Sequence, residues 1–295
     1  MHHAWLLVGK HGLGKGHFAH VAARSYVGTA STAAHPDILT LTHLPKDAKE
    51  EKKRDEGKPF EVKRNISVDQ IRAMQSRLTT RPTLGDRRAI IIEPADDMEK
   101  SASNALLKSL EEPPQGTLFL LVTHRPGRLL PTIRSRCRVL RFAAMNDAEI
   151  AAALRDEFAD AGEGELADAV AFSGGSLGVA RQFLEMKLQP VGNAMAELAL
   201  HGDRGMDLRG RLVTALGPRP ARERQAAAID LARTVLANRM GEAAPRDIPA
   251  LTNAHAELSR LSGQVATYNF DPGLLALQIG TLLAAAAPAS ERSRV

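Results

Sequence analysis

Residues 88–142 read RAIIIEPADDMEKSASNALLKSLEEPPQGTLFLLVTHRPGRLLPTIRSRCRVLRF, and this stretch decides the fold. Two short apolar runs, residues 89–92 and 117–122, are typical of buried parallel strands. Between them alanine and leucine recur at helical spacing until Pro113 and Pro114 end the helix. A strand, a helix and a strand in succession form a crossover unit. We therefore predict a parallel sheet whose ligand site lies at the carboxyl ends of the strands.

The composition restricts the class of protein. At 295 residues the chain is long enough for two or three domains, and its net charge of +5 permits a nucleic-acid partner without requiring one. A single cysteine excludes an internal disulfide framework and a Cys-rich zinc site. No apolar run reaches the length of about 18 residues that a membrane helix needs. We expect a cytoplasmic protein with no membrane partner.

A glycine-rich loop, GKHGLGKG at residues 9–16, lies between a strand-like segment and a helical pattern. It matches the G-x-x-x-x-G-K part of a phosphate-binding loop. Backbone N–H groups of such a loop surround a phosphate, and Lys15 would reach the outer phosphates. The glycines are Gly9, Gly12, Gly14 and Gly16. Because the last of them stands where Ser or Thr would hold magnesium, we expect nucleotide binding without magnesium-dependent turnover. A glycine-rich turn without a ligand is the alternative.

The end of the strand at residues 89–92 departs from the pattern of a working ATPase. Such an enzyme places Asp there for the metal and then Glu to orient the attacking water. This chain has Glu93, which can still face a metal, and Pro94, which cannot polarise water. Asp96 and Asp97 follow, and we interpret them as turn and helix-start residues.

Residues 46–58 carry eleven charges in thirteen positions, six positive and five negative. Nearly balanced charge around a glycine predicts a solvated, mobile loop. Contact with DNA is the alternative, which the acidic residues oppose because they repel phosphates.

Helical periodicity dominates beyond Phe142. Alanine- and leucine-rich segments after residue 188, broken by Gly and Pro, predict a helical bundle. We expect the last residues, 288–295, to be frayed.

The motif NALLKSLEEPP at residues 104–114, followed by IRSRC at residues 133–137, resembles the clamp-loader subunits of bacterial DNA polymerase III. Within them the chain looks most like the delta-prime branch. The resemblance covers residues 4–186 closely and the remaining helices only by length and character. It implies an α/β AAA+ P-loop module, with helices flanking a parallel sheet, a small helical lid and a C-terminal all-α collar domain. The implied bounds are residues 1–143 for the P-loop core, 144–188 for the lid and 189–287 for the helical oligomerisation collar, followed by the frayed tail at residues 288–295.

Three positions and the chain's end distinguish the sequence from the motor branch, gamma/tau. Motor subunits have Ser or Thr at Gly16, Asp-Glu at Glu93 and Pro94, and a phosphate-sensing arginine where this chain has Gly178. The sequence also ends after the helical bundle, without the long extension of tau. The resemblance thus implies a subunit that requires no cofactor and can bind ATP or ADP without turnover.

In this family the arginine that matches Arg136 projects into the ATP site of the neighbouring motor subunit. The resemblance therefore implies an arginine finger in trans, flanked by Ser135 and Cys137, while a local salt bridge is the alternative. We expect Cys137 to be a small buried residue, because no base is positioned to activate it. Thr123 matches the sensor-one position, where without a metal it would hold loop geometry.

The implied partners are the gamma/tau motor subunit, the delta subunit, the sliding clamp and, through the assembled complex, primed DNA. Many relatives carry a four-cysteine zinc module that residues 29–34 replace here, so we expect no zinc. A further segment usually precedes the part that matches residues 3–8, so we expect either that Met1 is an internal or mis-assigned start or that the chain is trimmed. Two other readings stay open. One is an active motor-type ATPase that uses Lys15 and Glu93, and the other is an AAA+ adaptor unrelated to replication.

Overall fold

A computed structural model of the chain describes residues 2–58, 60–265 and 270–288, with the side chain of residue 265 left out. The chain divides into two compact units, Met1–Ala144 and Met145–Val295. The first unit is α/β. In the described part of the second unit, every regular element is an α-helix. No helix in the described part of the chain is long and apolar enough to span a membrane.

The first unit is built on a five-stranded sheet of order β2-β3-β4-β1-β5. Its strands are β1 (Ala4–Val8), β2 (Ile38–Leu41), β3 (Arg88–Ile92), β4 (Thr117–Thr123) and β5 (Arg138–Arg141). All four pairs of neighbouring strands are parallel, which confirms the predicted sheet. β3 and β4 are buried along their whole length, whereas the edge strand β5 is largely exposed.

Helices cover both faces of this sheet. The helices of this unit are α1 (Lys15–Val27), α2 (Ala48–Asp55), α3 (Val68–Leu78), α4 (Lys100–Glu111) and α5 (Pro131–Arg134), and all but α2 contribute residues to the apolar cores on the two faces. Successive strand residues point to opposite faces. Ile90 and Ile92 therefore join the core beneath α3 and α4, while Ala89 and Ile91 join the core beneath α1.

The charged segment at residues 46–58 contains helix α2, so the prediction of a mobile loop was wrong. The Asp47 carboxylate caps the helix by accepting hydrogen bonds from two backbone N–H groups of its first turn. Glu50 is buried, lies 2.7 Å from Lys53 Nζ and accepts a hydrogen bond from the Glu61 N–H at 2.7 Å. Opposite charges three and four residues apart stabilise a helix. The prediction of a loop considered only how many charges the segment carries and not this spacing.

The second unit contains eight described helices around one apolar core. They are α6 (Asp147–Glu157), α7 (Glu163–Ala171), α8 (Leu177–Glu185), α9 (Gln189–His201), α10 (Asp207–Leu216), α11 (Arg222–Met240), α12 (Ile248–Val265) and α13 (Pro272–Ala285). One hydrophobic cluster runs from Ile150 in α6 to Ala286 after α13. The bundle therefore has a continuous interior.

Polar contacts join α6–α8 to α9–α13 around this interior. Gln189 Nε2 donates to Asp168 Oδ2 at 2.7 Å, and Asn238 Nδ2 donates to the Ala171 carbonyl oxygen at 3.0 Å. A Cβ at Gly192 would lie 2.8 Å from the ring of Phe172. The boundary between lid and collar at residues 188 and 189 stays a prediction. The predicted frayed tail falls, from residue 289 on, outside the described residues.

Candidate functional site

The glycine-rich loop joins β1 to α1 at the carboxyl edge of the sheet. Gly12 and Gly14 both have φ of 75°, a left-handed conformation that side chains disfavour. Helix α1 begins at Lys15, directly after the second of these glycines. At the other end of the loop, a Cβ on Gly9 would lie 2.8 Å from the Phe142 carbonyl oxygen. The loop thus has the strand–loop–helix geometry that its sequence predicts.

The Lys15 side chain is turned into this loop and is 2% exposed. Its Nζ donates a hydrogen bond to the Lys10 carbonyl oxygen at 2.5 Å. Burial lowers the pKa of Lys15, and the negative charges of Glu93 and Asp96 partly oppose that shift. The ammonium group therefore faces its own backbone in a site that already contains two carboxylates.

The Glu93 carboxylate lies against Gly16 in the first turn of α1. A Cβ built on Gly16 would collide with both carboxylate oxygens and would lie 2.7 Å from Cδ of Glu93. The helix N-terminus carries partial positive charge, which favours a carboxylate there. Glu93 consequently occupies the space that the Cβ of a Ser or Thr at residue 16 would need. The peptide bond from Glu93 to Pro94 is cis.

Asp96 and Asp97 lie in a single 3₁₀ turn, Ala95–Asp97, yet Asp96 is more than a turn residue. Its carboxylate is buried and accepts a hydrogen bond from the His124 N–H at 3.0 Å. Arg125 Nε lies 3.7 Å from the same carboxylate. Asp96 therefore connects the ends of β3 and β4. Sequence reasoning missed this role, although a second acidic residue just after a buried strand was an available signal.

Two residues at the end of β4 border the site. The Thr123 hydroxyl oxygen is buried and has no hydrogen-bond partner in the described part of the chain. The His124 ring lies 5.0 Å from the His11 ring in an edge-on arrangement. Burial, together with the positive charges of Lys15 and His11, lowers the pKa of His124 to about 4. His124 is therefore neutral at pH 7. Its position directly after Thr123 was the signal that sequence reasoning did not use.

Arg136 lies between α5 and β5, and its side chain is 34% exposed. Arg136 Nη2 pairs with Glu111 Oε1 at 2.5 Å. Arg136 Nη1 donates to the Thr132 carbonyl oxygen at 2.9 Å and to Ser135 Oγ at 3.4 Å. The local ion pair considered as the alternative is thus present, and a third of the side chain still reaches solvent.

The remaining candidate residues lie in less polar surroundings. Cys137 packs against the core beneath α4, and burial raises its pKa to about 11, so the thiol is protonated at pH 7. Gly178 lies in the first turn of α8, in the second unit. Among the described residues, no group of three or more His, Cys, Asp and Glu side chains is arranged to hold a metal ion.

Comparisons with known proteins agree with the motif. Residues 1–146 match the family described as DNA polymerase III, delta subunit. The chain is 37% identical over 194 residues to DNA polymerase III subunit delta' of Pseudomonas aeruginosa. The matched region covers 59% of this chain and 53% of that protein. It is 37% identical over 105 residues to the Escherichia coli subunit delta', covering 36% of this chain and 27% of that protein. These matches therefore span about half or less of the relatives' own length.

Gamma-type proteins are similar at lower identity. The DNA polymerase III subunit gamma of Buchnera aphidicola is 28% identical over 161 residues, covering 51% of this chain and 40% of that protein. Among solved structures, a DNA polymerase III gamma subunit-related protein from Thermotoga maritima covers 95% of both chains with a TM-score of 0.50. Because its identity is 19%, this likeness shows the fold alone.

Proposed function

This chain belongs to the delta-prime family of DNA polymerase III subunits, and from that premise we propose that it is a non-hydrolysing stator of the clamp loader. Its α/β unit is an AAA+ module, and a helical region follows it. In the proposed role Arg136 enters the ATP site of a neighbouring gamma/tau motor subunit. The other proposed partners are the delta subunit, the sliding clamp and primed DNA reached through the assembled holoenzyme.

The contact between Glu93 and Gly16 carries the proposal that the chain does not hydrolyse ATP. Magnesium in a P-loop enzyme needs a hydroxyl from the loop and a carboxylate set back from it. Here the carboxylate fills the space that the Cβ of a hydroxyl-bearing residue would need, and Lys15 is hydrogen-bonded to its own loop. We therefore propose that ATP or ADP, if bound, is not turned over, and that the chain requires neither a metal cofactor nor zinc.

The exposed part of Arg136 supports the proposed arginine finger. A guanidinium group has five N–H donors, and its contacts with the described residues engage three of them. Among those residues the Nε–H and one N–H of Nη2 have no acceptor, so both can meet one from another subunit. A guanidinium at the phosphates stabilises the negative charge of the transition state.

ATP hydrolysis by a reconstituted loader tests this function. At the motor site that this chain serves, Arg136→Ala is expected to slow hydrolysis by about 10³-fold or more, without preventing assembly. Arg138→Ala, which removes a nearby exposed arginine on β5, is the matched control. An unchanged DNA-stimulated rate with Arg136→Ala contradicts the proposal.

ATP turnover by the isolated chain distinguishes a motor-type ATPase from a non-hydrolysing stator. We expect no ATP turnover by the isolated chain. Turnover that Lys15→Ala abolishes would establish the motor-type ATPase instead. Failure of the chain to assemble with a gamma/tau subunit would favour the adaptor unrelated to replication.

A further inference from the structure

The end of helix α4 nearest Arg136 carries two adjacent carboxylates. Glu111 is the last helical residue, Glu112 caps the helix, and two prolines follow. A helix C-terminus carries partial negative charge, so carboxylates are unfavourable there and cations are favourable. A cation placed against this end therefore offsets both the helix dipole and the glutamate charges.

Arg136 is the cation at this helix end. Its Nη2 lies 2.5 Å from Glu111 Oε1, although the two residues are 25 positions apart in the chain. Glu112 is exposed and forms no ion pair in the described part of the chain. The two neighbouring glutamates thus share charge, helix end and exposure to solvent, but only Glu111 contacts the guanidinium group.

The three contacts of Arg136 fix the direction of its guanidinium plane. Glu111 holds one nitrogen, while the Thr132 carbonyl oxygen and Ser135 Oγ hold the other. Without Glu111, the guanidinium would keep contacts on Nη1 alone and could turn about that nitrogen. A group that is already oriented before it meets its target loses less conformational freedom in the transition state.

We propose that Glu111 is a positioning residue for Arg136, holding its guanidinium oriented toward the neighbouring subunit's nucleotide. The proposal rests on the proposed function, because it assigns a role to Glu111 within that reaction. Glu111 acts only through Arg136 and does not itself contact the nucleotide.

Kinetics of the reconstituted loader test this role with Glu111→Gln and its matched control Glu112→Gln. Glu111→Gln is expected to lower kcat at the served motor site by about 2- to 5-fold, the effect of losing one exposed ion pair, with KM for ATP unchanged. Glu112→Gln is expected to leave both constants unchanged. Equal rates for the two variants, or a change in KM alone, would overturn the positioning role.

A double variant separates positioning from a general structural effect. When Arg136→Ala is already present, adding Glu111→Gln is expected to cause no further loss, since there is no guanidinium to orient. A further loss of similar size would overturn the proposal. NMR of the Arg136 Nη2–H groups in the isolated chain supplies a second readout, because Nη2 is the nitrogen that Glu111 contacts. Their signal is expected to show slowed hydrogen exchange that Glu111→Gln removes and Glu112→Gln retains, and equal exchange in all three would overturn the proposal.

The outcomes distinguish this inference from the function on which it rests. If Arg136→Ala slows the loader but Glu111→Gln matches Glu112→Gln, only the positioning role fails. If Arg136→Ala itself leaves hydrolysis unchanged, the arginine finger fails and the role of Glu111 fails with it.

Discussion

Glu93 and Gly16 are mutually dependent, because the carboxylate of Glu93 lies where any side chain on Gly16 would begin. In the sequence they are two separate departures from the motor pattern. In the structure they form one packing unit at the start of α1. A hydroxyl at residue 16 and the present position of Glu93 exclude each other, so restoring one feature of a working ATPase requires the other to change.

This dependence predicts that the stability effects of Gly16→Ala and Glu93→Ala are not additive. Alanine normally stabilises a helix relative to glycine by about 0.5–1 kcal/mol. With Glu93 in place, however, the new methyl group displaces a carboxylate. We expect a coupling of about 0.5–3 kcal/mol in the free energy of unfolding, measured by urea denaturation of both single variants and the double variant.

Gly210→Ala is the control for this cycle. Gly210 lies inside helix α10, and a Cβ there would meet nothing within 4 Å. Its effect should therefore be the same with Glu93 or Ala at residue 93. Additive effects for Gly16→Ala as well would contradict the packing unit.

A buried ion pair between Asp37 and Arg88 supports the loop before β3, and its loss should destabilise the first unit. Asp37 accepts hydrogen bonds from the Thr83 and Leu84 N–H groups at 2.7 and 2.8 Å, and Arg88 Nη2 lies 3.5 Å from its carboxylate. Asp37→Asn leaves the buried guanidinium without its counter-charge. The expected loss is about 3–5 kcal/mol in the free energy of unfolding, measured by urea denaturation. Asp86→Asn, at an exposed carboxylate nearby, should lose far less.

The low pKa of His124 predicts how stability depends on pH. Its pKa is about 4 in the folded chain, against the ordinary value of 6.5. Between these values the unfolded chain binds a proton that the folded chain does not, so unfolding becomes more favourable as the pH falls from 6.5 toward 4. The urea midpoint of His124→Gln should decline less over this window than that of the unaltered chain. His17→Gln, at an exposed position on α1, should decline as the unaltered chain does, and identical slopes for all three would refute the assignment.

Cys137 should react slowly with thiol reagents while the chain is folded. Burial raises its pKa to about 11, and the thiolate is the reactive form. Relative to a free thiol of pKa about 8.5, the thiolate fraction at pH 7 is lower by about 100-fold or more. Reaction with a chromogenic disulfide, followed with and without urea, measures the difference. A native rate equal to the denatured rate would show that the thiol is accessible and ionised.

Local patterns predicted the parts of the fold that local forces determine. The apolar runs identified β3 and β4, and the glycines at residues 12 and 14 identified a loop that needs left-handed backbone. Helix α2 was missed because its charges were considered as a composition and not at their helical spacing. That spacing was visible in the sequence and could have corrected the prediction.

The contacts that define the candidate site could not be predicted in the same way. Glu93 meets Gly16, and Glu111 meets Arg136, only after strands distant in sequence have paired. The motif identified the arginine and the glycine, but no periodicity or composition indicates which carboxylate will approach either of them. Such partners depend on the register of the whole sheet.

The undivided core of the helical half has a mechanical consequence. Rotation at residues 188 and 189 would have to break the contact of Gln189 with Asp168 and separate Gly192 from the Phe172 ring. It would also open apolar surface to water, which makes such a hinge costly. We expect a force applied to α6–α8 to be transmitted to α9–α13 with little bending between the two groups of helices.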